Sequence, residues 1–314
     1  MTLFMTSFTA VATLLTIGIV GFWLLSRRIL IENLLGPLSV LAIDIALPCL
    51  IFVNILQNFT PDDQPLWWSL PLWWIAFTCV IALLTFFSSR MSARAFRREF
   101  GFALFFHNGI FFPLAILAEI FTANSPFLVD LFLFTLLYPA FFFNTAPLFF
   151  GKKLRSLGIK RLFNPVLVAT VLAISLRLTD LHVIVPDFIT SGLKLIGAMA
   201  VPLLMIILGG NIFIDMQKSA GTLNLRETGK FVLIKNIIFP LIVLGVLILL
   251  NPPYSVSLIV MIQSAVPPIT AVPIMTEREG GNRAIVDQFI VASFLASLVS
   301  LPLMLALFGR FFSP

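Results

Sequence analysis

Charge is scarce in this chain. Only 11% of its 314 residues are Asp, Glu, Lys or Arg while 60% are hydrophobic, against about 25% charged in soluble domains, and this excludes a soluble globular protein. Cysteine is nearly missing. Cys49 and Cys79 both fall inside apolar runs, which excludes a disulfide framework or a cysteine-based metal site and reads as two buried small apolar residues. Histidine is as rare, His107 and His182, and no metal-ligand spacing or hydrolase signature accompanies them. The acidic pair Asp62-Asp63 has no second acidic motif, so an intramembrane enzyme has no support. No metal or cofactor is implied. A nucleotide-binding loop is also lacking, which leaves an ion gradient or the membrane potential as a driving force.

What fills the chain is apolar sequence of bilayer-spanning length. A span takes about 20 apolar residues, so the chain has room for roughly ten joined by short loops. The runs predict an all-α membrane protein with helices over 7–25, 34–58, 67–89, 101–122, 126–150, 164–178, 187–211, 230–250, 255–276 and 284–309. Basic residues are absent from Met1–Ser7, and Arg27 and Arg28 follow the first run, so that run reads as a retained span that starts outside and not as a cleaved leader. Loops after the odd-numbered spans hold sixteen of the twenty Lys and Arg, among them Arg90, Arg94, Arg97, Arg98, Lys152, Lys153, Arg155, Lys160, Arg161, Arg278 and Arg283. The opposite loops are nearly devoid of them. The positive-inside rule then places both termini outside and assigns the net charge of +6 to topology and not to nucleic acid.

Five spans before the middle and five after it give the two halves opposite orientation. Ala46-Leu47-Pro48 in span two echoes Ala200-Val201-Pro202 in span seven at an offset of 154; Pro113 of span four matches Pro273 of span nine at 160, and Pro139 of span five matches Pro302 of span ten at 163. The expectation is an inverted repeat, 1–150 and 164–314, joined by a short cytoplasmic linker, 151–163. Spans four and nine collect helix breakers and polar groups near their middles: His107, Asn108, Gly109 and Pro113 in one, and Gln263, Ser264, Pro267, Pro268, Thr270 and Pro273 in the other. A mid-helix proline frees backbone groups that lipid cannot satisfy. Either the breaks are kinks absorbed by neighbouring helices, or the two half-helix N-termini converge at mid-membrane as an anion site.

Asp44 and Lys194 lie deep inside spans two and seven. A charge there faces protein or water and has a partner. The pair reads either as a proton-responsive carboxylate with its counter-charge or as a static ion pair, and His107 is a second titratable candidate. Lys235 and Asp287 sit near span ends, where the lysine is expected to snorkel and the aspartate to reach interfacial water. Trp67, Trp68, Trp73 and Trp74 read as an interfacial anchor, and the 34 Phe as lipid-facing or core filler.

With these pieces in order, Ala46-Leu47-Pro48, Asn108-Gly109 with Pro113, Asn164-Pro165, Pro202 leading to Leu208-Gly209-Gly210, and Ala265-Val266-Pro267-Pro268 running to Glu277-Arg278-Glu279-Gly280-Gly281-Asn282, nearly the whole chain resembles the auxin efflux carrier family, which includes plant auxin exporters and bacterial malate or malonate permeases. The resemblance implies two inverted five-helix repeats whose broken helices four and nine cross at the substrate site, and a small organic anion as substrate. The chain departs from the family pattern at Asn108, which directly precedes its glycine, at Ala271, where many members have asparagine, and in lacking a long hydrophilic loop, only Gly151 to Phe163 separating spans five and six. The last departure points to a compact bacterial type in the plasma membrane. Substrate-binding candidates are then Asn108, Gly109, Pro113, Gln263, Pro267, Pro268 and Thr270, with Asp44, Lys194 and His107 for proton coupling. The implied partners are the anion and membrane lipid, with a homodimer left open. The reading is a secondary transporter of a carboxylate; a channel or a ligand-sensing scaffold is the alternative.

Overall fold

The structure, a computed structural model, describes residues 3–62, 64–121, 125–152, 164–218 and 223–313. Asp63 and, of the expected linker, Lys153, Arg155, Lys160 and Arg161 lie outside the described residues. Among the described residues the chain is helical, with a single isolated bridge and no strand.

The first half contains α1 (Leu3–Ser26), α2 (Glu32–Val40), α3 (Leu47–Asn58), α4 (Leu70–Ser88), α5 (Arg97–Phe105), α6 (Phe111–Phe121), α7 (Pro126–Phe134) and α8 (Tyr138–Phe149). The second contains α9 (Pro165–Leu178), α10 (Asp187–Ala198), α11 (Ala200–Lys218), α12 (Leu225–Leu233), α13 (Phe239–Leu250), α14 (Tyr254–Ala265), α15 (Val272–Arg278) and α16 (Arg283–Phe308). Among the described residues seven stretches are long and apolar enough to cross a membrane: Phe4–Ser26, Glu32–Asn58, Trp67–Met91, Pro126–Phe149, Asp187–Ile214, Leu225–Leu250 and Arg283–Phe308. Shorter apolar helices are Phe111–Phe121, Pro165–Leu178 and Tyr254–Ala265.

Local chemistry explains the punctuation. Asn164 and Asn282 accept the backbone N–H groups of Leu167 and Ile285 through their side chains, and Ser125 accepts that of Phe127, so α9, α16 and α7 start on conventional caps, two of them followed by proline. Wide π-type turns over Leu41–Ala46 and Ile234–Ile238 join α2 to α3 and α12 to α13. Each lies just ahead of a proline, Pro48 and Pro240. A proline cannot donate to the carbonyl four residues earlier, and a wider turn relieves that clash. The matched prolines of spans five and ten behave differently from each other: Pro139 follows a break over 135–137, whereas α16 runs unbroken through Pro302.

Helix α1 lies along α11 and also packs against α16 and α6, and α3 receives α9 and α10. The α1–α11 contact is backbone on backbone, since a Cβ on Gly209 would collide with the Gly18 carbonyl and one on Gly21 with Ile206. Without a hydrophobic force between helices in lipid, such close approach supplies dispersion contacts instead. Helix α16 also packs against α12 and α14, and α4 against α5 and α7. The core around α5, α12 and α16 is aromatic: Phe231 stacks on Phe289 at 4.6 Å and Phe100 meets both edge-on at 5.4 Å.

The loops after spans three, five, seven and nine meet at one end of the bundle. Lys152 pairs with the buried Glu279 at 2.9 Å, Glu99 accepts the Asn282 N–H at 2.9 Å, and Glu227 accepts from Ser92 at 2.8 Å. Gln64 to Asp130, 2.9 Å, and Arg177 to the Phe59 carbonyl, 2.6 Å, tie elements elsewhere. Of the expected tryptophan anchor, Trp68 is exposed, whereas Trp74 is buried against Tyr138 and Phe141.

Replacing Gly209 by Ala forces α1 and α11 apart and is expected to destabilise the protein by at least the about 1–3 kcal/mol of an overpacked core. Gly245→Ala, whose Cβ meets nothing within 4 Å, is expected to be tolerated. Thermal unfolding in detergent checks both.

Candidate functional site

The expected spans four and nine are each cut in two, and the cuts meet. Phe106 and Val266 leave the helical region for extended backbone at the ends of α5 and α14. Pro267 and Pro268 enforce this in span nine, because a residue before proline is pushed out of the helical conformation. The two extended segments run antiparallel with His107 opposite Pro268. The Asn108 N–H donates to the Pro267 carbonyl at 2.8 Å, and the Ile269 N–H to the Phe106 carbonyl at 3.0 Å. Each break therefore satisfies the other, as membrane depth requires.

Side chains complete the crossing. Gln263 Nε2 donates to the Gly109 carbonyl at 2.6 Å, the Tyr138 hydroxyl to the His107 carbonyl, and the Phe111 N–H to Asn108 Oδ1 at 3.3 Å. A Cβ on Gly109 would sit 2.9 Å from Gln263 Oε1 and 3.4 Å from His107 Nε2, so the Gln263 amide would have to shift to admit one. Asn108, His107 and Gln263 are all buried. Pro113 falls in the first turn of α6 and Pro273 in that of α15, both just past the cuts.

Lys235 corrects the snorkelling expectation. It is 0% exposed, and its ammonium donates to the Ser264 carbonyl at 3.4 Å in the last turn of α14 before the cut. It lies in the wide turn Ile234–Ile238. The neighbouring Asn236 donates to the Ser293 carbonyl at 3.0 Å and to Ser300 Oγ at 3.2 Å and accepts from Ser293 Oγ at 2.8 Å, holding span eight to span ten. Asp287 likewise does not reach interfacial water; it is buried, 3.6 Å from Arg283.

A cavity of about 450 Å³ lies beside the crossing, within the roughly 300–1,000 Å³ of ligand pockets. Its walls include Asp44, Leu47, Leu204, Ile110, Tyr138 and Ile269. On a mostly apolar lining the polar groups are Asn144, Asn164 and Thr270, with Asp44 in the wall and the exposed Arg278 at the end of α15. Asn144 donates to the Ala140 carbonyl at 2.7 Å, and its Oδ1 is buried with no hydrogen-bond partner among the described residues.

Of the residues singled out from sequence, Thr270 and Asp44 line this cavity, while Asn108, Gly109, Gln263, Pro267, Pro268 and His107 form the crossing behind it. Lys194 is exposed on α10, and among the described residues no ion pair joins it to Asp44, although α10 packs against the wide turn that carries Asp44. Asn144, Asn164 and Arg278 are the cavity residues that sequence reasoning did not select. Asn164 was visible only as part of the Asn164-Pro165 cap, Arg278 only as a topological charge.

Among known families the chain matches the one described as Membrane transport protein, over residues 6–149 and 145–305. No curated protein matches it.

Gln263→Leu strips the Gly109 carbonyl of its side-chain donor inside the crossing. Leaving a buried acceptor in this state costs about 1–3 kcal/mol, so the variant is expected to unfold at a lower temperature in detergent than the unmodified protein.

Proposed function

The chain belongs to the membrane transport protein family, that of the auxin efflux carriers, and is an integral membrane transport protein; from that premise we propose that it is a secondary transporter of a small organic anion such as a carboxylate, driven by a proton gradient or the membrane potential. The cavity beside the crossing carries this reading. Asn144, Asn164 and Thr270 offer hydrogen bonds to a carboxylate on an otherwise apolar wall, and the Arg278 guanidinium supplies the opposite charge. The crossing segments give the wall a fixed backbone against which an anion is oriented.

Asp44 lines the same cavity. An ionised carboxylate there repels an incoming carboxylate, and a protonated one does not. Proton and anion then enter together, which makes Asp44 the coupling group and the flux larger as pH falls. Lys194 and His107 are secondary to it, Lys194 as a counter-charge on the adjoining helix.

The architecture we propose for this function is ten crossings in two inverted five-helix repeats, 1–150 and 164–314, joined by the 151–163 linker. Broken spans four and nine are α5–α6 and α14–α15, and both termini lie outside the plasma membrane. Short helices α6, α9 and α14 complete the count of spans, and the family match divides in two near residue 147. Movement of one five-helix repeat against the other, both of which contribute to its lining, would open the cavity to alternate sides.

Uptake of radiolabelled malate, malonate and indole-acetate into proteoliposomes under imposed pH and voltage gradients tests the proposal. Saturable uptake that increases with external acidity is expected, with KM raised severalfold in Arg278→Gln and with pH dependence abolished in Asp44→Asn. Absence of flux of every anion by folded protein overturns the carboxylate assignment; an unchanged pH profile in Asp44→Asn removes Asp44 from coupling.

A further inference from the structure

On the flank of the bundle, α4, α5 and α8 enclose an open groove of about 520 Å³. Its apolar length is formed by Phe86, Phe105, Phe141 and Leu148, and its end by Arg97 and Arg98. Phe86 is 55% and Leu148 42% exposed, so the groove opens sideways onto the lipid-facing surface.

Two observations call for an anion at its end. Arg97 and Arg98 occupy the first turn of α5, where positive charge opposes the helix dipole and contributes nothing to helix stability. Both are exposed, and among the described residues neither makes an ion pair or a hydrogen bond. Arg90 adds charge to the same rim, stacked 4.1 Å over the Phe86 ring. The segment between α4 and α5 is thus a strip of arginines at the edge of an apolar slot that faces lipid. Basic pockets between membrane helices recognise anionic headgroups in this way.

We propose that this groove binds an anionic phospholipid, with an acyl chain along Phe86, Phe105 and Leu148 and the headgroup phosphate held by Arg97 and Arg98. A free phosphate would satisfy the arginines and leave the apolar slot unfilled; a zwitterionic lipid would fill the slot and leave the arginines with a neutralised phosphate. The site requires both features in one molecule.

The test uses the full chain purified in detergent, with bound lipid read by native mass spectrometry and stability by thermal unfolding. Phosphatidylglycerol is expected to remain bound and to raise the unfolding temperature, whereas phosphatidylcholine of the same chains and inorganic phosphate are not. Arg97→Gln combined with Arg98→Gln is expected to weaken phosphatidylglycerol binding by about tenfold or more, the scale of charge-assisted hydrogen bonds. Arg27→Gln with Arg28→Gln, a basic pair remote from the groove in sequence, is expected to leave binding unchanged. Ala82→Trp fills the slot while keeping both arginines and is likewise expected to lower occupancy, which keeps the proposal testable if the arginine variant does not fold. Equal binding of the two lipids, equal stabilisation by phosphate alone, or full occupancy in either groove variant overturns it.

Discussion

Peptide groups released from a helix inside a bilayer have no water to bond, and in this protein two such releases are placed against each other. The N–H groups of Asn108 and Ile269 are donated across the gap to the carbonyls of Pro267 and Phe106, so α5–α6 and α14–α15 are each intelligible only in the presence of the other. The surrounding arrangement follows from keeping this crossing dry and satisfied. Gln263 and Tyr138 cover the carbonyls of Gly109 and His107, and Asn108 caps the start of α6. Buried Lys235 reaches the carbonyl end of α14. The polar atoms are dense there because the backbone is irregular there.

The same constraint shapes the cavity. Helices that must stay intact, α1 and α11, are brought together through glycine backbones, while the wall facing the crossing carries asparagine, threonine, one carboxylate and one guanidinium. Asp44 and Lys235 both sit in wide turns ahead of prolines, Asp44 exposed and Lys235 buried.

Much of the helical layout was legible from hydropathy, because bilayer-length apolar runs leave few alternatives, and the cuts in spans four and nine were legible from His107-Asn108-Gly109 and Pro267-Pro268. The pairing of Asn108 with Pro267 was not, since it joins residues distant in sequence and leaves no local pattern. Lys235 was misjudged from its distance to a helix end. That criterion ignores the face a side chain takes. The break before Tyr138 escaped notice because Pro139 was weighed as a repeat mark and not as the start of a new helix. Arg278 and Asn144 became cavity residues only when three-dimensional packing brought α15 and α8 to one wall, and the topological count had already explained Arg278 without it.

The antiparallel opposition of His107 and Pro268 is the most direct point at which to test this account. Opposed residues of an antiparallel pair lie about 4.5–5.5 Å apart at Cα, within the about 4.4–6.8 Å that a disulfide spans. His107→Cys with Pro268→Cys, in a chain with Cys49→Ala and Cys79→Ala and a protease site inserted in the 151–163 linker, is oxidised in the membrane and then cleaved. The account predicts that the two halves stay joined until reduced, and that His107→Cys alone lets them separate. Separation of the halves in oxidised, folded double-cysteine protein would contradict the crossing and the site built on it.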